Sequence, residues 1–311
     1  MECLVTGGAG FIGSHLVDRL LDLGHTVTVL DDFSTGSEDN LRQAQSKATD
    51  GQLQIIRGSI LDSKLVMKAV AQKDVIFHLG AQINVRSSTE NPLFDANVNV
   101  KGSLILYEQA ARAKVSRIIY ASSGGALYGE PDNLPAVEDT PKRPLSPYGI
   151  SKLTAEYYLL FYGANTDMIT ISLRYANVYG PRQDPKGEAG VISIFLEALS
   201  QGKPLPIIGD GKDTRDYVFA ADIIQANISA LNYQQNSALN IGSGVETSVL
   251  DLVDHIKAVT GLNPETTFLP PIPGEVHRIA LDSTVANQVL DWKPTVSLRD
   301  GIQQVWEWFK G

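Results

Sequence analysis

The chain has 311 residues, 43% of them hydrophobic, a formal net charge of -9 and one cysteine. That length holds one large domain or two coupled ones, and the composition is that of a soluble globular enzyme. The negative charge is spread without a basic cluster, which argues against a nucleic-acid groove or an anionic membrane surface, and Cys3 alone excludes an intramolecular disulfide or a cysteine-built metal site.

Met1 to Val5 runs straight into an apolar strand without a charged leader, and no apolar run reaches the roughly 18 residues that span a bilayer. The expectation is a cytoplasmic protein with no membrane partner. Glu2 to Val5 reads as the first strand and Ile12 to Leu23 as an amphipathic helix, which puts Gly7-Gly8-Ala9-Gly10-Phe11-Ile12-Gly13 at a strand-to-helix turn. Glycines at 7, 10 and 13 permit a tight reversal, admit a pyrophosphate to backbone N–H groups and bring helix and strand close. The helix N-terminus then faces the anion. A second strand, Thr26 to Leu30, ends in Asp31-Asp32 about twenty residues on, where an acid accepts hydrogen bonds from a ribose.

Strand and helix signals then alternate: Leu53 to Arg57, Leu65 to Ala71, Val75 to Leu79, Leu93 to Ala113, Arg117 to Ala121 and Ile169 to Arg174. The pattern predicts an α/β fold with a doubly wound parallel Rossmann-type sheet, its short β-branched strands covered by helices on both faces. Gly7, Asp31, Gly58-Ser59-Ile60, Gly80-Ala81-Gln82 and Ser122-Ser123 all fall at carboxyl ends of strands, where such sheets bind ligands. His78 reads as a hydrogen-bonded strand-end residue, and the five histidines have no metal-ligand spacing, so no metal is expected.

Past Ala121 come Ser122 to Gly129, a proline-bearing loop, and Ser146-Pro147-Tyr148-Gly149-Ile150-Ser151-Lys152 opening a helix. Tyr148 and Lys152, four apart, share one helix face. Beyond Arg174 the expected elements are a helix Val191 to Ser200, a strand Leu205 to Ile208, a helix Val218 to Leu231, a strand and turn Leu239 to Gly242, and a helix Leu250 to Thr260. A proline-rich Leu269 to Gly274 and a terminal helix Leu298 to Phe309, with Trp306 and Trp308 as packing anchors, complete a smaller C-terminal α/β substrate-binding domain. The division expected is 1–173 plus about 214–242 for the dinucleotide-binding domain, and about 174–213 plus 243–311 for the smaller domain.

With the three glycines, Asp31 and the Tyr148/Lys152 pair, the chain resembles the extended short-chain dehydrogenase/reductase family. Within it the nearest resemblance is to the UDP-glucose 4-epimerases. The residues that carry this are Asn97 to Gly102, Leu173 to Arg182, Thr214 to Val218 and Pro273-Gly274-Glu275. The resemblance implies a homodimer paired through the helices after Asn91 and Tyr148, where Leu104, Tyr107 and Ala111, and Leu153, Tyr157 and Leu160, lie at helical spacing that suits a dimer face and an intramolecular core equally. It implies NAD as cofactor, on Gly7, Gly10, Phe11, Ile12, Gly13, Asp31, Asp32, Ser59, Ile60, Leu79, Ala81, Gln82, Asn99, Ser122, Tyr148, Lys152 and Tyr175. A UDP-sugar is implied on Asn177, Val191, Arg215, Glu275 and Arg278. Tyr148 is the implied base, Lys152 its partner, and Asn99 the residue that orders the proton network.

Three positions depart from the family pattern. The usual hydroxyl residue 24 before the tyrosine is Gly124, which leaves Ser123 or Ser122 to supply it; the usual diphosphate arginine is Ile272, with Arg278 nearby; the usual adenine-contacting acid is Ser59. A tyrosine with an ordinary pKa of about 10 needs help from the Lys152 ammonium and the nicotinamide charge to take the proton of a sugar 4-OH. Hydride loss from C4 gives a 4-keto sugar, and return of the hydride to its other face inverts C4. Related dehydratases carry an Asp-Glu pair, and decarboxylases the Glu, just before the loop Tyr-Gly; here Gly125 and Ala126 precede Tyr128-Gly129 with Leu127 between, so elimination lacks its acid and base. The expected activity is C4 epimerisation of UDP-glucose and UDP-galactose, or of an N-acetylated or uronic relative. A non-catalytic NAD sensor is the alternative.

Overall fold

A computed structural model describes residues 1–185, 190–271 and 276–310. The strands, in chain order, are β1 (Glu2–Thr6), β2 (Thr26–Asp31), β3 (Leu53–Arg57), β4 (Val75–His78), β5 (Arg117–Ser123), β6 (Ile169–Tyr175), β7 (Asn177–Tyr179), β8 (Leu205–Ile208), β9 (Thr214–Phe219), β10 (Ser237–Ile241), β11 (Glu246–Ser248) and β12 (Thr266–Leu269). Seven of them form a parallel sheet in the order β10-β6-β5-β4-β1-β2-β3. Cys3 of β1 lies opposite Val27 on one side and Val75 on the other. All four residues of β4 are buried, as the continuous apolar runs require when helices cover both faces. The strand order reverses between β1 and β4, so a crevice opens beyond the carboxyl ends of those two strands.

The chain divides into two compact units, Met1–Ser123 with Ser146–Arg174 and Ala226–Leu239, and Gly124–Leu145 with Tyr175–Gln225 and Asn240–Gly311. In the first, Leu4, Ile76, Tyr107, Ile118, Tyr120 and Leu159 belong to one core cluster. In the second, Phe195, Leu196, Leu252, Ile256, Ile302 and Trp306 form another, beside a three-stranded sheet β11-β9-β7 and a pair β12-β8.

Three expectations change, and one open position is decided. The helix expected from Val218 starts at Ala220, because Tyr217-Val218-Phe219 close strand β9 against β7. The helical run through Leu93 to Ala113 is continuous but contains a π-helical stretch, Asn97–Gly102. Tyr107, whose spacing suited a dimer face or the core equally, is wholly buried in the first core. Trp306 is a buried anchor, whereas Trp308 is 45% exposed. Cys3 is buried, and burial pushes its thiol up to about 12, which makes it inert packing.

Candidate active site

At the β1 turn, sequence and space agree on glycine. Gly7 has φ +69, and a Cβ there would lie 2.7 Å from the Gly80 nitrogen. A Cβ on Gly13 would strike the Gly7 carbonyl and sit 2.8 Å from Gly8 Cα. The helix Phe11–Asp22 begins at Gly10 with no side-chain cap and no acid in its first turn, so its leading N–H groups remain for an anion. Phe11 is buried edge-on to His15, and Ile12 is half-buried beside it. This cradle fits a pyrophosphate. Asp31 Oδ2 accepts from the Ala9 N–H at 2.8 Å and Oδ1 from the Phe33 N–H at 2.8 Å. The acid therefore ties the glycine turn to the end of β2 with lone pairs to spare on both oxygens. Asp32 points outward and caps the Ser34 N–H at 3.0 Å. At the end of β3, the Ser59 hydroxyl accepts from the Leu61 N–H at 3.3 Å, and Ile60 packs where a Gly102 Cβ would stand.

Beyond β4 the segment Leu79 to Gln82 is held by Asn99. The Gln82 N–H donates to Asn99 Oδ1 and Asn99 Nδ2 donates to the Gln82 carbonyl, both at 2.8 Å. Leu79 and Ala81 are half-buried in the same stretch. Asn99 Nδ2 also donates to Asp95 Oδ1 at 3.0 Å. Buried Asp95 was not singled out in the sequence; its spacing of four from Asn99 on a helical run was the available signal.

The helix Pro147–Asn165 is capped by Ser146, whose hydroxyl accepts from the Gly149 N–H at 3.2 Å. Its first turns set Tyr148 and Lys152 on one face. Lys152 is 4% exposed, and its Nζ donates to the Ala121 carbonyl at 2.9 Å and lies 5.9 Å from the Tyr148 ring centroid. Burial pulls the ammonium down to about 8, against the opposing charge of Asp95. The two serines at the end of β5 separate. Ser122 donates inward to Glu156 Oε2 at 2.8 Å, within a buried pair in which Arg174 Nη2 reaches Glu156 Oε1 at 2.5 Å. The Ser123 hydroxyl has no partner among the described residues, which leaves it available to a substrate.

The second unit carries the remaining residues. Asn177 is exposed on β7, and a Cβ on Gly125 would lie 3.4 Å from its Oδ1. Buried Tyr175 closes β6, and Val191 opens the helix Val191–Ser200. Arg215 Nη1 donates to the carbonyls of Thr214 at 2.9 Å and His277 at 3.3 Å, and no described carboxylate neutralises it. Arg278 differs: its Nε and Nη2 grip Glu246 at 2.8 and 2.7 Å, so its charge is already answered. Glu275 and Ile272 lie outside the described residues.

A family model described as GDP-mannose 4,6 dehydratase matches residues 4–305. The UDP-glucose 4-epimerase of Mycolicibacterium smegmatis is 45% identical over 312 residues, spanning 100% of this chain and 99% of that protein. The UDP-glucose 4-epimerase of Thermotoga maritima, solved with UDP-glucose, superposes with a TM-score of 0.95 at 41% identity, covering 100% of this chain and 99% of that one. The Thermus thermophilus UDP-glucose 4-epimerase, solved with NAD, gives 0.92 at 38% identity over 100% and 99%.

Proposed function

The chain belongs to the extended short-chain dehydrogenase/reductases of the GDP-mannose 4,6-dehydratase family, and from that premise we propose that it is an NAD-dependent isomerase interconverting UDP-glucose and UDP-galactose at C4. The observation that carries the reading is the pair Tyr148 and buried Lys152 on one face of a capped helix. The first unit is the dinucleotide-binding body and the second the nucleotide-sugar body. Gly7, Gly10, Gly13 and the first turn of Phe11–Asp22 hold the pyrophosphate, and Asp31 takes the adenosine ribose. Bound NAD supplies reversible hydride acceptance at C4. Tyr148 takes the proton of the 4-OH, the Lys152 ammonium favours the phenolate, and Ser123 relays the proton to it. Asn177 and Arg215 grip the nucleotide so that remote binding energy retains the 4-keto sugar while it turns. Arg215 is preferred to Arg278 for the diphosphate because Glu246 already pairs with Arg278. Gly125 and Ala126 leave elimination without an acid or base, which supports epimerisation over the dehydratase reaction named for the family.

The test is incubation of purified protein with UDP-galactose and a panel of UDP-N-acetylhexosamines and UDP-uronic acids. The expected product of UDP-galactose is UDP-glucose with no net change in NAD. Binding of NAD without conversion of any sugar favours a sensor instead.

We also infer a homodimer. Support comes from an exposed apolar stripe of Ile150, Tyr157, Leu160 and Phe161 on Pro147–Asn165, beside exposed Leu93 and Phe94 on the neighbouring helix Pro92–Ala96. Light scattering is expected to give a dimer mass for the native chain and a monomer for Phe161→Asp; a native monomer at micromolar protein refutes the inference. Among the described residues no helix is long and apolar enough to cross a membrane. Residence in the cytoplasm is part of this proposal.

A further inference from the structure

Buried His78 takes no part in the chemistry above, yet it is 1% exposed and engaged at both ring nitrogens. Nδ1 lies 2.8 Å from Thr6 Oγ1, and Nε2 lies 2.9 Å from Ser103 Oγ. The neighbours fix the polarity of both bonds. The Gly80 N–H donates to Thr6 Oγ1 at 3.1 Å, and Ser103 Oγ donates to the Asn99 carbonyl at 2.6 Å, since a carbonyl can only accept. Ser103 has then spent its proton, so His78 Nε2 must be the N–H that donates to it. The imidazole is neutral: burial, aided by the nearby Lys152 charge, pulls it down to about 3. Nδ1 is therefore a lone pair, and Thr6 donates to it. The rings of Tyr107 and Tyr120 pack beside it, with centroids at 5.8 and 5.4 Å.

The bonds form a closed circuit. It runs from the Gly80 N–H through Thr6, His78 and Ser103 to the Asn99 carbonyl, and the Asn99 side chain returns through both backbone groups of Gln82. Between the two ends lies the short segment Gly80-Ala81-Gln82, packed so closely on Gly7 that a Cβ there would meet the Gly80 backbone at 2.7 Å. Ser103 also satisfies a carbonyl within the π-helical stretch Asn97–Gly102, a geometry often kept for function.

We propose that His78 is a positioning residue, a neutral Nε2–H imidazole that closes a hydrogen-bonded ring and thereby sets the backbone of Gly80 to Gln82 against the glycine turn for NAD. The proposal rests on the reading that Leu79, Ala81 and Gln82 face the cofactor.

Two experiments test it. Nitrogen-15 spectra of the imidazole in the intact protein should show the Nε2–H tautomer with no titration between about pH 5 and 8; an Nδ1–H tautomer or a titrating ring overturns the proposal. Calorimetric NAD binding to cofactor-free Thr6→Val and Ser103→Ala should each be weaker by on the order of tenfold, the loss of one buried hydrogen bond. Because both cuts open one ring, the double variant should also lose about tenfold rather than a hundredfold. Thr6→Ser, which keeps the hydroxyl, should bind NAD as the native chain does. Variants that lower Tm but bind NAD normally, or whose losses multiply, overturn the ring. Ala81→Leu separates the two readings: if it weakens NAD while Thr6→Val does not, the ring is wrong, and if neither weakens NAD, the segment does not face the cofactor and both readings fall.

Discussion

Asp31 is expected to choose NAD over its 2′-phosphorylated form. Its carboxylate is 8% exposed and held by two backbone N–H groups, so it cannot swing away from an incoming anion. A 2′-phosphate charge about 4 Å away, at an effective dielectric near 20, is repelled by about 4 kcal/mol. At about 1.4 kcal/mol per decade this is roughly a thousandfold in affinity. The cation placed to offset it is Arg57, directly opposite Asp31 in the β2–β3 register. Its guanidinium lies 4.6 Å over the Phe33 ring and pairs with Glu38 at 3.3 Å. An exposed pair of this kind is worth about 1 kcal/mol at most, too little to cancel the repulsion. Asp31→Asn should therefore narrow the NAD-to-NADP affinity ratio by about a thousandfold. Part of the change comes with weaker NAD binding, because the asparagine turns an NH2 toward the Ala9 or Phe33 N–H, at about 1–3 kcal/mol. Burial raises the Asp31 pKa above its ordinary value, so the native preference should fade as the pH falls toward that raised pKa. Calorimetric titration of cofactor-free protein with both dinucleotides measures the ratio. An Asp31→Asn ratio within about threefold of the native one refutes the reasoning.

Tyr148→Phe removes only the phenolic oxygen and should abolish conversion of UDP-galactose while NAD and UDP still bind; residual turnover above about one per cent of native would point to another base. Ser123→Ala should cost on the order of 10²-fold in kcat, the low end for a positioned proton relay, and an unchanged rate removes Ser123 from the site. Gly124 lies in the helix Gly124–Leu127 outside the left-handed region, so Gly124→Ser should fold normally and keep or gain activity, as measured by kcat beside thermal unfolding. Because the Lys152 ammonium is pulled from 10.5 to about 8, it is present below that pH and lost above it, and kcat should fall on the alkaline side. Asp95→Asn removes the acid that supports the charge and should move the fall to lower pH; a native profile level to about pH 10 refutes the assignment.

The parallel sheet was legible because each of its strands is a short apolar run bounded by turn residues, and that signal does not depend on partners. The second unit was less legible. Val218 and Phe219 fit a helix by hydrophobicity, and only pairing of Tyr217 to Phe219 with β7, and of Thr214 to Asp216 with β11, makes Thr214–Phe219 a strand. β12 has four exposed residues and survives by pairing with β8, a contact no local pattern announces. Tyr107 shows the same limit on a helix, since apolar spacing marks a buried face without saying whether the core or a second chain covers it.

For the site, residues that act through backbone geometry were legible and those that act through long-range polar contacts were not. Gly7 and Gly13 had to be glycine on steric grounds, and the structure repeats that argument atom by atom. Ser122 and Ser123, by contrast, were interchangeable in the sequence as substitutes for the hydroxyl missing at Gly124. What separates them is Glu156, 34 residues downstream, which claims Ser122 from within its buried pair with Arg174. Turning Ser122 outward would forfeit a hydrogen bond to this buried charged group, at about 1.5–3 kcal/mol, so Ser122 is committed to the interior of the first unit. The same burial that secures this side of the sheet also removes solvent from Lys152, which bonds the carbonyl of the adjacent strand residue, Ala121. The loss of one family hydroxyl thus leaves Ser123, adjacent to the gap and without a partner among the described residues, as the serine through which the proposed proton path to Tyr148 runs.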